Sequence, residues 1–145
     1  MQKTYIIVLM TITFIWAGLV TGISFIEAPL KFQAPGITLE LGLGIGKIVF
    51  GALTTIEIVL SIFSVLFIFL IKEKRKFFYL FAIPIVIVVI DNIILLPILD
   101  ERLDMIVNGT PPLASNTHWY YVILEIIKLL FLILSGVFTA KHYIK

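Results

Sequence analysis

Four apolar runs, each about as long as a bilayer is thick, constrain this chain more than any other feature. They cover roughly residues 4–26, 48–71, 77–99 and 119–140. A helix of ~20 residues crosses a ~30 Å hydrocarbon core at 1.5 Å per residue. None of the runs alternates with the period of two that a barrel strand needs, and in lipid only helices and closed barrels satisfy their own backbone. The sequence therefore predicts an all-α membrane protein, a single four-helix transmembrane domain over residues 1–145. Composition agrees: 61% of residues are hydrophobic and 14% charged, more apolar surface than a soluble domain of this size can hide. The first run is longer than a signal-peptide core, and only Lys3 precedes it.

Basic residues set the expected orientation. Lys72, Lys74, Arg75 and Lys76 crowd the link between runs two and three, Lys3 precedes run one, and Lys141 and Lys145 follow run four. Four crossings put all three places on one side, and the positive-inside tendency makes that side cytoplasmic, N and C termini included. The opposite side carries Asp100, Glu101 and Asp104 against Arg102. A net charge of +2 is too small to point to nucleic acid, and the lack of cysteine excludes disulfides, thiolate metal sites and thiol redox chemistry.

Three runs carry charges that lipid does not tolerate. Run two holds Glu57, run three Asp91 followed by Asn92, and run four Glu125 and Lys128. Each charge at a helix centre costs about 2.5–3.5 kcal/mol on insertion scales, so such groups turn inward or pair. Glu125 and Lys128, three apart, share a face. Counted from the end of its run away from the basic link, each of the four charges lies roughly 9–14 Å deep. Glu27, Lys31, Arg102 and His118 fall at the surface above them. The ionisable groups thus converge on one half of the bundle. Three acids face one lysine, so full ionisation leaves −2 unless a proton, a bound cation or another basic residue compensates.

Helical spacing gives each of three helices a polar stripe: Ala17, Thr21, Ser24, Ala28 and Lys31; Lys47, Gly51, Thr54, Glu57, Ser61 and Ser64; His118, Tyr121, Glu125, Lys128 and Ser135. In "SFIEAPLKFQAPG" (24–36) the prolines are expected to stop helix one near Glu27 and let Lys31 fold over the mouth of the cluster; the bland alternative is an interfacial turn with snorkelling charges. "LELGLGIG" (39–46) reads as a short reentrant or interfacial piece, and "DERLDMIV" (100–107) as a short amphipathic helix. Pro84 and Pro97 are expected to kink or end helix three. Gly18 and Gly22 form a GxxxG pair suited to close helix contact. Ser115 or Asn116 is expected to cap helix four. Trp16 reads as packing, with Trp119, Tyr120 and Tyr121 as one aromatic belt and Phe77, Phe78 and Tyr79 as the other.

The stretches 24–53, "LDERLDMIVNG" (99–109) and "HWYYVILEIIK" (118–128) together resemble a group of small, uncharacterised bacterial four-helix integral membrane proteins. The resemblance implies the four-helix architecture and a bacterial inner (plasma) membrane setting. It brings no activity and no catalytic residue.

Two functional readings follow from the residues. In one, the protein binds or transports a small or amphipathic ligand or a cation in a polar pocket lined by Glu57, Asp91, Asn92, Glu125, Lys128, Glu27, Lys31, Arg102 and His118. Four helices are few for a transporter, so transport implies a homo-oligomer. In the other, the chain is a structural or accessory membrane subunit and its buried charges are interhelical ion pairs. A membrane enzyme is the third class, but no metal-ligand spacing such as HExxH and no nucleophile motif such as GxSxG occurs. A haem held between His118 and His142 fails, since they stand about 36 Å apart along one helix. No catalytic residue, metal or cofactor is assigned, and the partner that the sequence demands is the lipid bilayer.

Overall fold

The computed structural model describes residues 2–72, 74–110, 112 and 114–143, with the backbone alone for 74–76, 142 and 143. Four helices account for nearly all of it, and no strand occurs among the described residues. Helix α1 runs from Gln2–Val20 through a π-helical segment, Thr21–Glu27, into short helical turns that end at Gln33. Helix α2 is Leu39–Leu70. Helix α3 comprises Lys74–Ile90, a π-helical segment Asp91–Leu95, and Leu96–Val107. Helix α4 is Thr117–Tyr143. All four are long and apolar enough to cross a membrane. The start of α1 at Gln2, the end of α4 at Tyr143 and the connection from α2 to α3 lie at one end of the bundle, the proximal end; the connections from α1 to α2 and from α3 to α4 lie at the distal end. Of the basic topology signals, Lys145 lies outside the described residues, as do the side chains of Lys74, Arg75 and Lys76; so does the side chain of His142.

Two expected helix ends are absent. The prolines do not stop α1 at Glu27: Pro29 is carried within the helical path, and the helix ends at Gln33, where Ala34 turns extended ahead of Pro35 and Gly36, φ +79°, completes the turn. A π-helical turn precedes Pro29. There the Ala28 N–H bonds the Ile23 carbonyl, five residues back. Proline lacks a donor and its ring crowds the carbonyl four residues earlier; widening the turn moves that carbonyl aside. Helix α3 repeats the device. The Leu96 N–H bonds the Asp91 carbonyl, and Pro97 follows without ending the helix, so 100–107 continues the span rather than forming a separate element. Pro84 also lies inside α3.

The glycine-rich stretch 39–46 is not reentrant; it is the first two turns of α2. The Thr38 hydroxyl caps it by accepting from the Leu41 N–H at 3.2 Å. Its glycines serve close approach: a Cβ on Gly42 would strike the Phe32 ring, and one on Gly46 would lie 3.0 Å from Lys31 Nζ. By contrast, Gly18 and Gly22 have nothing within 4 Å of such a Cβ, so no described residue packs closely on that side of the GxxxG pair. The tight spot between α1 and α4 is Gly136, against Phe14. At the start of α4, Ser115 Oγ accepts from the Thr117 N–H at 3.1 Å, and the Asn116 carbonyl accepts from Tyr120.

The bundle is layered along its axis. At the proximal end Ile6, Leu9, Ile68, Ile71, Phe77 and Phe81 form an apolar core. Above it, Trp16, Ala17, Val20, Val88 and Leu132 form a second apolar layer. The aromatic belts are incomplete: Phe77 is buried in the first core and Tyr121 is buried, while Trp119, Tyr120, Phe78 and Tyr79 are exposed. Charged groups begin where the second layer ends.

Candidate functional site

Lys128 is the centre of the site. Its side chain is fully buried. Its ammonium lies 2.8 Å from Glu57 on α2 and 3.3 Å from Asp91 on α3, and it contacts Glu125 one turn earlier on α4. Carboxylates from three helices thus surround one cation inside the bundle. Each arrives there by helical register. Thr54, Glu57, Ser61 and Ser64 are the buried face of α2, and Tyr121, Glu125, Lys128 and Ser135 that of α4. Asp91 opens the π-helical segment of α3 and is 1% exposed. π-Helical turns recur at functional positions, and here both of them, 21–27 and 91–95, supply polar groups to the cluster.

Helix α1 contributes two donors. The Trp16 indole N–H donates to Glu57 Oε1 at 2.9 Å, and the Ser24 hydroxyl donates to Glu125 Oε2 at 2.7 Å. Trp16 is therefore a member of the site as well as a packing residue. The available signal was that a buried indole N–H needs an acceptor, but the sequence does not say which helix supplies it. Three buried side-chain oxygens have no partner among the described residues, Asp91 Oδ1, Ser61 Oγ and Ser64 Oγ, while Glu125 Oε1 is met by the Lys128 ammonium.

Distal to this cluster lies a cavity of about 580 Å³. Its walls are mainly apolar, with Phe25 of α1, Leu43 and Phe50 of α2, Leu99 and Leu103 of α3, and Val122 of α4. Ser24, Tyr121 and Glu125 form a polar floor, and Lys31, Lys47, Arg102 and His118 stand around the cavity. Glu125 alone joins the two regions, since Glu57, Asp91 and Lys128 do not line the cavity. Lys31 is tucked between α1 and α2: its ammonium pairs with Glu27 at 3.3 Å and lies 5.2 Å from the Phe50 ring centroid. Lys47 bonds Asp104 at 2.9 Å, tying α2 to the distal end of α3.

Compared with known protein families, curated proteins and solved structures, the chain matches none. The site is read from its own geometry. Of the residues singled out in the sequence, Glu57, Asp91, Glu125 and Lys128 meet in one buried cluster. Lys31, Arg102 and His118 reach the cavity, and Glu27 reaches its edge through Lys31. Asn92 joins neither group. It is exposed on the outside of α3, because the residue after Asp91 turns about 100° around the helix. Among the described residues, no three histidine, cysteine or acidic side chains are grouped to hold a metal ion.

Proposed function

We propose that this chain is a multi-pass inner-membrane protein, both termini cytoplasmic, that binds a small amphipathic molecule in the distal, extracytoplasmic cavity. The two-part chemistry of that cavity carries the reading. Apolar walls of α1–α4 accept a hydrocarbon portion, while Ser24, Tyr121 and Glu125 offer hydrogen bonds at the floor. A volume of about 580 Å³ falls within the ~300–1,000 Å³ of small-molecule sites. The basic side chains around the cavity are held by Glu27 and Asp104 where they pair, so the surroundings are fixed and charged on both signs. An amphiphile moving along the interface meets this polar surround before the apolar interior.

The test is binding of a dansyl-labelled fatty amine to the purified protein in lipid nanodiscs. Saturable binding is expected, weakened about tenfold or more by Val122→Trp, which fills the cavity from α4. Non-saturable partition that is equal in wild type and variant overturns the reading.

A second reading, a structural or accessory subunit, is favoured by one observation: Glu57, Asp91 and Lys128 are enclosed and do not line the cavity. Their ion pairs then fix the register of α2, α3 and α4. Glu125→Gln separates the two readings. A folded variant that loses the probe assigns Glu125 to the ligand; a folded variant that binds it unchanged assigns the acid to helix registration.

A further inference from the structure

We propose that Asp91 and Glu125 form a proton-binding site beneath the cavity floor, with one exchangeable proton held between their carboxyl groups. The first support is charge. Glu57, Asp91 and Glu125 surround Lys128, and with every group ionised the enclosed cluster carries −2. The nearest lysines above it are engaged by other acids, Lys31 by Glu27 and Lys47 by Asp104. An uncompensated charge at such a depth is expensive, and a proton removes one unit of it.

The second support is an independent count of hydrogen bonds. Asp91 Oδ2 accepts from Lys128 and Glu125 Oε2 accepts from Ser24; Glu125 Oε1 lies against the Lys128 ammonium, whereas Asp91 Oδ1 receives no hydrogen bond among the described residues. Both residues are 1% exposed. An ionised carboxylate can only accept, but a protonated one also donates. Asp91 and Glu125 lie within hydrogen-bond reach of each other, so a single proton on Glu125 makes it a donor and gives Asp91 Oδ1 its missing partner. Two carboxyls that share a site take up such a proton as a pair rather than as individuals.

The groups facing this pair are Glu57 from α2, Lys128 and Tyr121 from α4, and the uncharged donors Ser24 and Trp16 from α1. Across the cavity Glu125 also faces Lys31, Lys47, Arg102 and His118; among the ion pairs described, Lys128 is the cation that touches the pair. A metal ion is not the better occupant, because the ammonium of Lys128 already sits where the three acids converge. The proton reaches bulk water through Glu125, the one acid of the cluster that lines the cavity. Proton binding requires no amphiphile, so this inference and the proposed ligand reading fail separately.

Infrared spectroscopy of the protein in nanodiscs tests it, through the C=O stretch of protonated carboxyl groups. At neutral pH the wild type is expected to show one such band, to shift it in heavy water, and to lose it on alkaline titration. Asp91→Asn and Glu125→Gln should each abolish or displace the band, and Glu57→Gln should leave it in place. Absence of the band from the wild type at neutral pH overturns the proposal. So does a band unaffected by both Asp91→Asn and Glu125→Gln, or one abolished by Glu57→Gln. The wild-type heavy-water and titration measurements decide the matter even where a variant fails to fold.

Discussion

At the scale of single residues, the buried cluster is a problem in compensation. Lys128 is the only cation in contact with Glu57, Asp91 and Glu125 among the ion pairs described. Removing one member of a buried ion pair costs about 3–5 kcal/mol because the remaining charge stays buried, whereas removing all members together is often close to neutral. Lys128→Leu is therefore expected to destabilise the bundle by that amount, read as a lowered midpoint in a denaturant titration in mixed micelles. Adding Glu57→Gln, Asp91→Asn and Glu125→Gln to it should recover most of the loss. Equal midpoints for the single and the quadruple variant would show that the lysine compensates nothing. The acids and the lysine were legible in the sequence because each stands out in an apolar run. Their hydrogen-bond partners were not: Trp16 lies 41 residues from Glu57, and Ser24 lies 101 from Glu125. No local pattern encodes which distant helix brings a donor. Asn92 marks the converse limit, since adjacency to Asp91 in sequence places it on a different face of the helix.

At the scale of elements, helix existence was legible and helix length was not. Proline and glycine read as breaks, yet Pro29 and Pro97 follow π-helical turns that absorb them, and the glycines at 42 and 46 let Phe32 and Lys31 close onto α2. Whether a glycine marks a loop or a contact depends on what lies opposite, which is a tertiary fact. Paired substitutions separate the two roles. A helical glycine costs about 0.5–1 kcal/mol relative to alanine when nothing opposes the added methyl group. Gly44 meets nothing within 4 Å, so Gly44→Ala should raise stability by about that amount. Gly42→Ala gains the same backbone term but drives its methyl into the Phe32 ring, which must swing away from the cavity. Thermal unfolding in one detergent should rank Gly44→Ala above wild type and Gly42→Ala below Gly44→Ala. The reverse order would mean that Phe32 is not seated against α2.

At the scale of the whole molecule, the extra helix length falls at one end. Helices α1, α2 and α3 offer spans of 32, 32 and 31 residues, or about 46–48 Å at 1.5 Å per residue, against a ~30 Å hydrocarbon core. The surplus lies beyond the apolar runs, at residues 27–33, 39–47 and 100–107, and these same segments wall the cavity. Tilt can absorb part of a mismatch of this size, and the surplus segments are the ones that bear Glu27, Lys31, Lys47 and Arg102. The proximal end has no buried ionisable group among the described residues and closes on an apolar core. Such asymmetry gives orientation a functional consequence, since it decides which side of the membrane the cavity serves. The basic residues at 3, 72 and 141 predict a cytoplasmic proximal end. The chain has no cysteine, so single-cysteine variants report position without background. Gln33→Cys and Asn108→Cys, both at exposed distal positions, should react with a membrane-impermeant maleimide on intact cells, while Lys72→Cys and Lys141→Cys should react only after permeabilisation. The opposite pattern would turn the cavity toward the cytoplasm, and with it the compartment from which Glu125 draws its proton and the cavity its ligand.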